Sequence, residues 1–402
     1  MQYAPIALFT YNRADHTKQA VESLLKNEEA KYSDLFIFSD GPKNEKAAEG
    51  VKANRTFIRS LKDANDNDNV NHNLNLNEDE NEDYDNDEEY LNHNLNLNEN
   101  PEPLNCTAGA FEPAHEVSDL NSEALAEVLN QRETQIEPAC KASDLNQTLL
   151  PECRSRAFKS VTIIEREKNW GLANSLIAGI TEIVNKYGRV IVVEDDLILS
   201  PYFLKYMNDA LEKYENEDRV GAVSAYVPTI ERNLPETYFL YHFHCWGWGT
   251  WRRAWDLLET DSRVLLRKLR FKRNKFDVDG SAGAYGSLYC QKVGLVDSWW
   301  VRFYASLFIE KKLILYPRYS LVTNNGQDGT GTHVGSGKIV SDNIHYVAKP
   351  ICVKDITIEE SKEGYEAFKK AFSAKKVKES GIISAIKQFK SFFRRLFYID
   401  CL

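Results

Sequence analysis

Short, continuously apolar runs alternate with amphipathic stretches through the first half of the chain. Ile6–Thr10 (IALFT), Leu35–Ser39 (LFIFS), Val161–Glu165 (VTIIE) and Arg189–Val193 (RVIVV) each read as a buried strand. Asp15–Lys26 places Ala20, Val21, Leu24 and Leu25 on one helical side, and a second helix is expected near Glu45–Leu61. Leu172–Tyr187 carries Leu176, Ile177, Ile180, Ile183 and Val184 at helical spacing. Apolar strands alternating with amphipathic helices predict an α/β fold: a mostly parallel, Rossmann-like sheet with helices on both faces. Such sheets bind ligands at the carboxyl ends of their strands.

Two stretches break this pattern. Residues 63–157 open on Asn, Asp and Glu with few apolar positions; NHNLNLNE occurs at Asn71–Glu78 and again at Asn92–Glu99, and EPAHEVSDLN (112–121) returns as EPACKASDLN (137–146). A segment so poor in apolar residues cannot offset its ordering entropy, so it reads as a disordered insertion in a loop. A calcium-binding or partner-binding tail is the functional alternative. The second stretch lies in the C-terminal tail, 346–402. Within 381–402, Ile382, Ile383, Ile386, Phe389, Phe393, Leu396 and Phe397 recur at helical spacing, flanked by Lys387, Lys390, Arg394 and Arg395. A basic amphipathic helix of this kind suits a membrane interface; a terminal helix packed on the domain or in a dimer is the alternative.

Charge sharpens the division. The 402 residues carry a net charge of −10, yet residues 63–157 hold 23 Asp or Glu against 4 Lys or Arg. The remainder holds 46 Lys or Arg against 37 Asp or Glu, so the body is basic. That suits anionic small ligands such as nucleotide diphosphates or lipid phosphates; no nucleic-acid partner is expected. The seven cysteines form no CxxC pair, which points to free thiols in a reducing compartment. No charged leader followed by a long apolar stretch opens the chain, and no run of about 18 apolar residues occurs. The expected location is the cytoplasm, at most peripheral at the inner face of a membrane through 381–402.

The strongest chemical signal is VIVVEDDLILSPYF (190–203), where the fourth strand runs into Glu194, Asp195 and Asp196. Three consecutive carboxylates at a strand's end are unfavourable unless a cation sits among them, and hard oxygen ligands suit Mg²⁺ or Mn²⁺. Alternation along the strand lets one or two of them ligate, with Asp196 favoured and Asp195 beside it. A solvated acidic turn is the bland alternative.

TYNRADH after strand one, SDGPKNE after strand two, NWGLANS after strand three and VEDDLILSPYF after strand four resemble glycosyltransferases of the GT-A fold. The pattern is similar to bacterial relatives of N-acetylglucosaminyltransferase I within the broad family 2-like group. HCWGWGTWRRAW (244–255), VDSWWVRFYASLF (296–308) and YPRYSLVTNNGQDGTGTH (316–333) extend the resemblance, which covers about 1–62 and 158–345.

The resemblance implies a nucleotide-sugar donor, UDP-linked, and a glycan or lipid-linked sugar acceptor, with transfer in bacterial surface polysaccharide or glycan assembly. It implies that Arg13 approaches the diphosphate, Asp40 accepts the uracil N–H, and Asn169 and Gly171 lie along the donor. Asp196 would hold the metal, while Glu194 and Asp195 contact ribose and sugar. Asp297, ahead of a Trp-rich helix, takes the place of the catalytic base, with a helix cap as its alternative. Asp328 and His333 lie in a Gly-rich loop that could close over a nucleotide. Trp248, flanked by glycines, is the candidate for stacking on a sugar ring, and Thr250 is expected to cap a helix bearing Trp251 and Trp255. Rival readings are a retaining transferase and a non-catalytic sugar-nucleotide-binding or scaffold protein. A nucleotidyltransferase normally has a Gly-rich loop after strand one, which TYNRADH lacks.

Overall fold

Successive residues of a strand point to opposite faces, and here both faces are packed. In β1 (Ile6–Thr10), Ile6 and Leu8 enter one core while Ala7 and Phe9 enter a second. In β2 (Asp34–Ser39), Leu35 and Ile37 are divided in the same way from Phe36 and Phe38. β3 (Ser160–Glu165) lies at the edge beyond β2, and β4 (Arg189–Glu194), on the other side of β1, separates Ile191 and Val193 from Val190 and Val192. This two-sided burial is why the strands read as unbroken apolar runs.

The computed structural model describes residues 2–78, 157–228, 234–326 and 346–374. The chain divides into two compact units, residues 1–74 with 148–402, and residues 75–147, nearly all of which lie outside the described residues. In the first unit the sheet order is β3-β2-β1-β4-β8-β6-β9-β7, with β6 (Val220–Ser224), β7 (Thr237–Leu240), β8 (Trp248–Trp251) and β9 (Leu313–Pro317) completing it. The pairs β3–β2, β2–β1, β1–β4 and β6–β9 are parallel; β4–β8, β8–β6 and β9–β7 are antiparallel. The mostly parallel α/β class expected from the sequence is the one observed. A separate antiparallel ribbon pairs β5 (Leu197–Leu199) with β10 (Val322–Asn324).

The first core is closed by α1 (Ala14–Leu25), α2 (Glu45–Glu78) and, further along, Phe203–Lys213. The second is closed by α3 (Leu172–Tyr187) and Trp299–Ile309. We label Phe203–Lys213 α4 and Trp299–Ile309 α5. α3 ends on Gly188, whose left-handed backbone (φ 78°) lets its N–H reach Val184 O at 2.9 Å before β4 begins. α5 is capped by Ser298, which accepts from the Val301 N–H.

Three differences from the sequence reading have local causes. The helix expected to end near Leu61 continues to Glu78; Asn65 is buried in it and its side chain accepts from the Phe158 N–H at 2.6 Å, tying the helix to the start of β3. The first NHNLNLNE copy (71–78) forms the end of this helix, so residues 63–78 are helical where a disordered insertion was expected, whereas the second copy, the EPAHEVSDLN pair and the rest of the insertion up to 156 lie outside the described residues. Thr250 caps no helix: it lies in β8, where its hydroxyl donates to Gly221 O at 2.7 Å, and a four-residue helix begins only at Arg252. Residues 346–374, the start of the expected tail, pack on the main unit through a helix over 362–374 that buries Ala367 and Phe368. The amphipathic stretch 381–402 lies outside the described residues, and among the described residues no helix is long and apolar enough to cross a membrane.

Just beyond β7, His242 is enclosed by Tyr304, Phe368 and Phe372, and neither ring nitrogen has a hydrogen-bond partner among the described residues. Burial pushes its pKa down to about 3. In the unfolded chain the imidazole takes its proton near pH 6.5. Between those values the unfolded state binds more protons, so acidification costs stability through this group. Urea denaturation from pH 7.5 to 4.5 is expected to show His242→Phe losing less stability than the wild type, by on the order of 2–3 kcal/mol. Equal losses would mean that the ring is not held neutral.

Candidate functional site

β1 sends the chain outward through β2 to β3, whereas β4 returns to the opposite side of β1. The strand order reverses between β1 and β4, and at such a switch point the two departing loops open a crevice at the carboxyl ends. Register puts Phe9 opposite Glu194, so the ends of both strands are level. Arg13 follows β1 and sits at the N-cap of α1; Asp195 and Asp196 follow β4. The Arg13 backbone is pinned by Thr17, whose N–H and hydroxyl both donate to Arg13 O.

From that anchored position the guanidinium reaches across the crevice. Its Nη2 donates to Asp195 Oδ1 and, at 3.3 Å, to Asp196 Oδ2. Its other terminal nitrogen, Nη1, is buried with no hydrogen-bond partner among the described residues. Asp195 is further fixed by the Tyr11 N–H at 3.4 Å, and its own N–H donates to Phe9 O. Burial raises the Asp195 pKa to about 6 against the pull of Arg13. Burial, together with repulsion from Asp196 and Asp195, raises Glu194 to about 8. The site thus concentrates more negative charge than one arginine neutralises.

The ribbon β5–β10 brings a distant segment to the same point. Leu197 pairs with Asn324, and the next N–H, that of Asn325, donates to Asp196 O at 2.7 Å. The Asn325 amide also bonds Gln19 of α1 at 2.8 Å. Gly326 lies on the Asp196 carboxylate: a Cβ there would stand 2.4 Å from Oδ2. Asn325 and Gly326 were not singled out from the sequence as neighbours of Asp196; nothing local signals a pairing over so long a separation.

On the opposite side of the switch point Asp40 organises a second loop. Its Oδ1 accepts from the Gly41 and Trp170 N–H groups at 3.0 and 2.9 Å, and its Oδ2 from Asn169 Nδ2 and the Gly171 N–H at 3.1 and 2.9 Å. A carboxylate has about four acceptor sites, so this one is filled by its own chain. This corrects the assignment of Asp40 to a uracil N–H. Asn169 serves the same clamp, donating also to Gly41 O. Gly171 is glycine for its backbone (φ 77°), since nothing lies within 4 Å of a would-be Cβ. Gly41 has the reverse reason: a Cβ would stand 2.5 Å from the Lys168 carbonyl carbon. The clamp leaves Trp170 on the surface, 43% exposed, with the Arg166 guanidinium 4.1 Å over its ring.

The remaining expected residues divide. Trp248 is fully buried in β8, stacked on Trp299 at 5.2 Å and edge-on to Phe243, so it offers no face to a sugar; this corrects its assignment. Trp246, half-buried two residues earlier, packs edge-on against Tyr226 and His244 at 4.6 and 4.8 Å. Asp297 is not the cap of α5, which is Ser298. Its side chain is 56% exposed and held by Arg302 at 2.9 Å. Trp300 ties this helix start to the 242–247 segment through Phe243 O at 3.0 Å. No direct contact joins Asp297 to the acidic run among the described residues. Asp328 and His333 lie outside the described residues.

Among the described residues no three His, Cys, Asp or Glu side chains form a metal cage. The donor set fits a hard divalent cation that takes one or two carboxylates here and its other ligands from phosphate and water. No protein-family model matches the chain, and no curated protein matches it. Among solved structures it is similar to a UDP-glucose pyrophosphorylase complexed with UDP-glucose, at 10% identity and a TM-score of 0.31, covering 79% of this chain and 91% of that one.

Two substitutions test the loop assignments. Asp40→Asn puts an amide N–H against groups that can only donate, and urea denaturation is expected to show a loss on the order of 2–4 kcal/mol. A change under about 0.5 kcal/mol, the range of neutral surface substitutions, would remove the clamp. By contrast, Trp248→Phe should destabilise through lost packing and leave any sugar-nucleotide affinity in place; the reverse outcome would restore Trp248 to the binding surface.

Proposed function

We propose that the chain is a metal-dependent glycosyltransferase that moves a sugar from a UDP-linked donor onto a hydroxyl of a glycan or lipid-linked acceptor, inverting the anomeric centre. The observation that carries this reading is the meeting of Arg13 with Asp195 and Asp196 at the reversal of strand order. A guanidinium and adjacent carboxylates side by side suit a diphosphate together with a hard cation. The ordered GT-A-like motifs of the sequence support the same class.

In this reading Asp196, with Asp195 beside it, would hold Mn²⁺ or Mg²⁺. When bound, such a cation neutralises charge developing on the leaving diphosphate. Arg13 contributes in the same direction, where electrostatic catalysis has most to gain. Trp246 lends ring surface to the sugar or acceptor, and the exposed Asp297 takes the acceptor proton as general base, its carboxylate oriented by Arg302. With Asp40 engaged internally, recognition of the base falls to the surface around Trp170. A cytoplasmic location at the inner face of a membrane belongs to the same proposal and rests on the sequence of 381–402.

The deciding experiment is a panel of nucleotide-sugars with and without Mn²⁺, following nucleoside diphosphate release and product stereochemistry. Asp196→Asn is expected to abolish metal-dependent turnover and leave the fold intact; wild-type rates would reject the metal assignment. Asp297→Asn should slow turnover on the order of 10²–10⁴-fold. An effect below about threefold would leave Asp297 without that role. Consumption of added pyrophosphate with release of nucleoside triphosphate and sugar 1-phosphate would identify a nucleotidyltransferase, and retained configuration a retaining enzyme.

A further inference from the structure

Arg13 meets its two carboxylates in a lopsided way. A guanidinium paired to best effect uses both terminal nitrogens, one for each oxygen. Here Nη2 alone serves Asp195 and Asp196, while Nη1 is buried with no partner among the described residues. The backbone beneath is fixed by Thr17, so the place of the guanidinium depends on the rotamers of its flexible stem. The group therefore stands where a cation shared by Asp195 and Asp196 would stand, and it does so with half of its terminal donors unused among the described residues.

We propose that Arg13 is an internal counter-ion that competes with a divalent cation for Asp195 and Asp196 and is released by exchange onto a diphosphate. The inference rests on the reading of these carboxylates as a cation site beside a nucleotide. A cation arriving alone has to displace the guanidinium, which then loses its anionic partners inside a partly buried crevice. When a diphosphate arrives with the cation, Arg13 trades two carboxylate contacts for phosphate oxygens, and Nη1 gains an acceptor. Each ligand then improves the site for the other, and by linkage the improvement is reciprocal. Arg13 thereby makes cation loading conditional on nucleotide. Asp195 and Asp196 do not need a resident metal for the crevice to keep its shape.

The test uses the full-length chain, Mn²⁺ and UDP as probes, and calorimetric titration. In the wild type, UDP is expected to raise Mn²⁺ affinity by about tenfold or more, within the usual range of coupling between sites. Arg13→Met should bind Mn²⁺ alone about tenfold more tightly than the wild type does, and UDP should then raise Mn²⁺ affinity by a smaller factor than in the wild type, the remainder being direct phosphate ligation. Arg13→Lys, which keeps a single point charge, should fall between them. Thermal unfolding supplies a second readout, because Arg13→Met leaves the carboxylates without their guanidinium. Mn²⁺ alone should raise its Tm more than that of the wild type. If Arg13→Met binds Mn²⁺ no better than the wild type while UDP-coupled binding persists, the counter-ion role is overturned and the donor reading stands. If Arg13→Met gains Mn²⁺ affinity but UDP changes nothing in either protein, the competition stands and the nucleotide reading falls. Absence of Mn²⁺ binding in every arm would overturn both.

Discussion

The structure turns on a concentration of like charge at the end of a buried strand. Glu194, Asp195 and Asp196 leave β4 together, and each would be better solvated anywhere on the surface. The chain tolerates them through three devices acting at once. Arg13 reaches over from the neighbouring strand, backbone N–H groups of Tyr11 and Asn325 fix the surroundings, and raised proton affinity at Glu194 and Asp195 removes part of the charge. Like carboxylates held this close are characteristic of sites whose task requires them.

Everything near this point is arranged to keep the crevice open and stiff. On one side the Asp40 carboxylate gathers four donors and holds the 169–171 loop down against Gly41, while Arg55 of α2 braces the same turn through Ser39 and Arg166 O. On the other side the aromatic layer of Trp248, Trp299 and Phe303 fixes the start of α5 against the sheet. A fully satisfied polar clamp and a packed aromatic layer are both rigid, for different reasons: one by directed hydrogen bonds, the other by close packing. Between them the carboxylates have little freedom to separate.

Much of this was legible in the sequence because it depends on short-range pattern. β1 matches its expected bounds, β2, β3 and β4 differ from theirs by a single residue, and α3 ends on the glycine that its sequence places there. The placing of Arg13 and the acidic run beside one diphosphate came from the resemblance to GT-A glycosyltransferases, and the adjacency of β1 and β4 is what brings the two together. What escaped depended on partners remote in sequence. Asp40 looked free because its four donors come from the next residue and from a loop about 130 residues away. Trp248 looked available because its glycine neighbours suggest exposure; instead Gly249 lets Met207 and Leu211 close in, and β8 is drawn into the sheet. The helical run past Leu61 was missed because Asn and Asp are poor helix formers, a preference that tertiary contacts such as Asn65 with Phe158 override.

The ribbon between β5 and β10 gives the acidic site a timetable. Leu197 and Asn324 are joined across well over a hundred residues, and the groups that settle on Asp196 follow directly after. Contacts that close so long a loop form late, because the intervening chain must be ordered first. A ribosome-bound chain can therefore hold β1 and β4 side by side well before Asp196 acquires its final neighbours. A product truncated before residue 322 would have the sheet's central strands and an unfinished crevice.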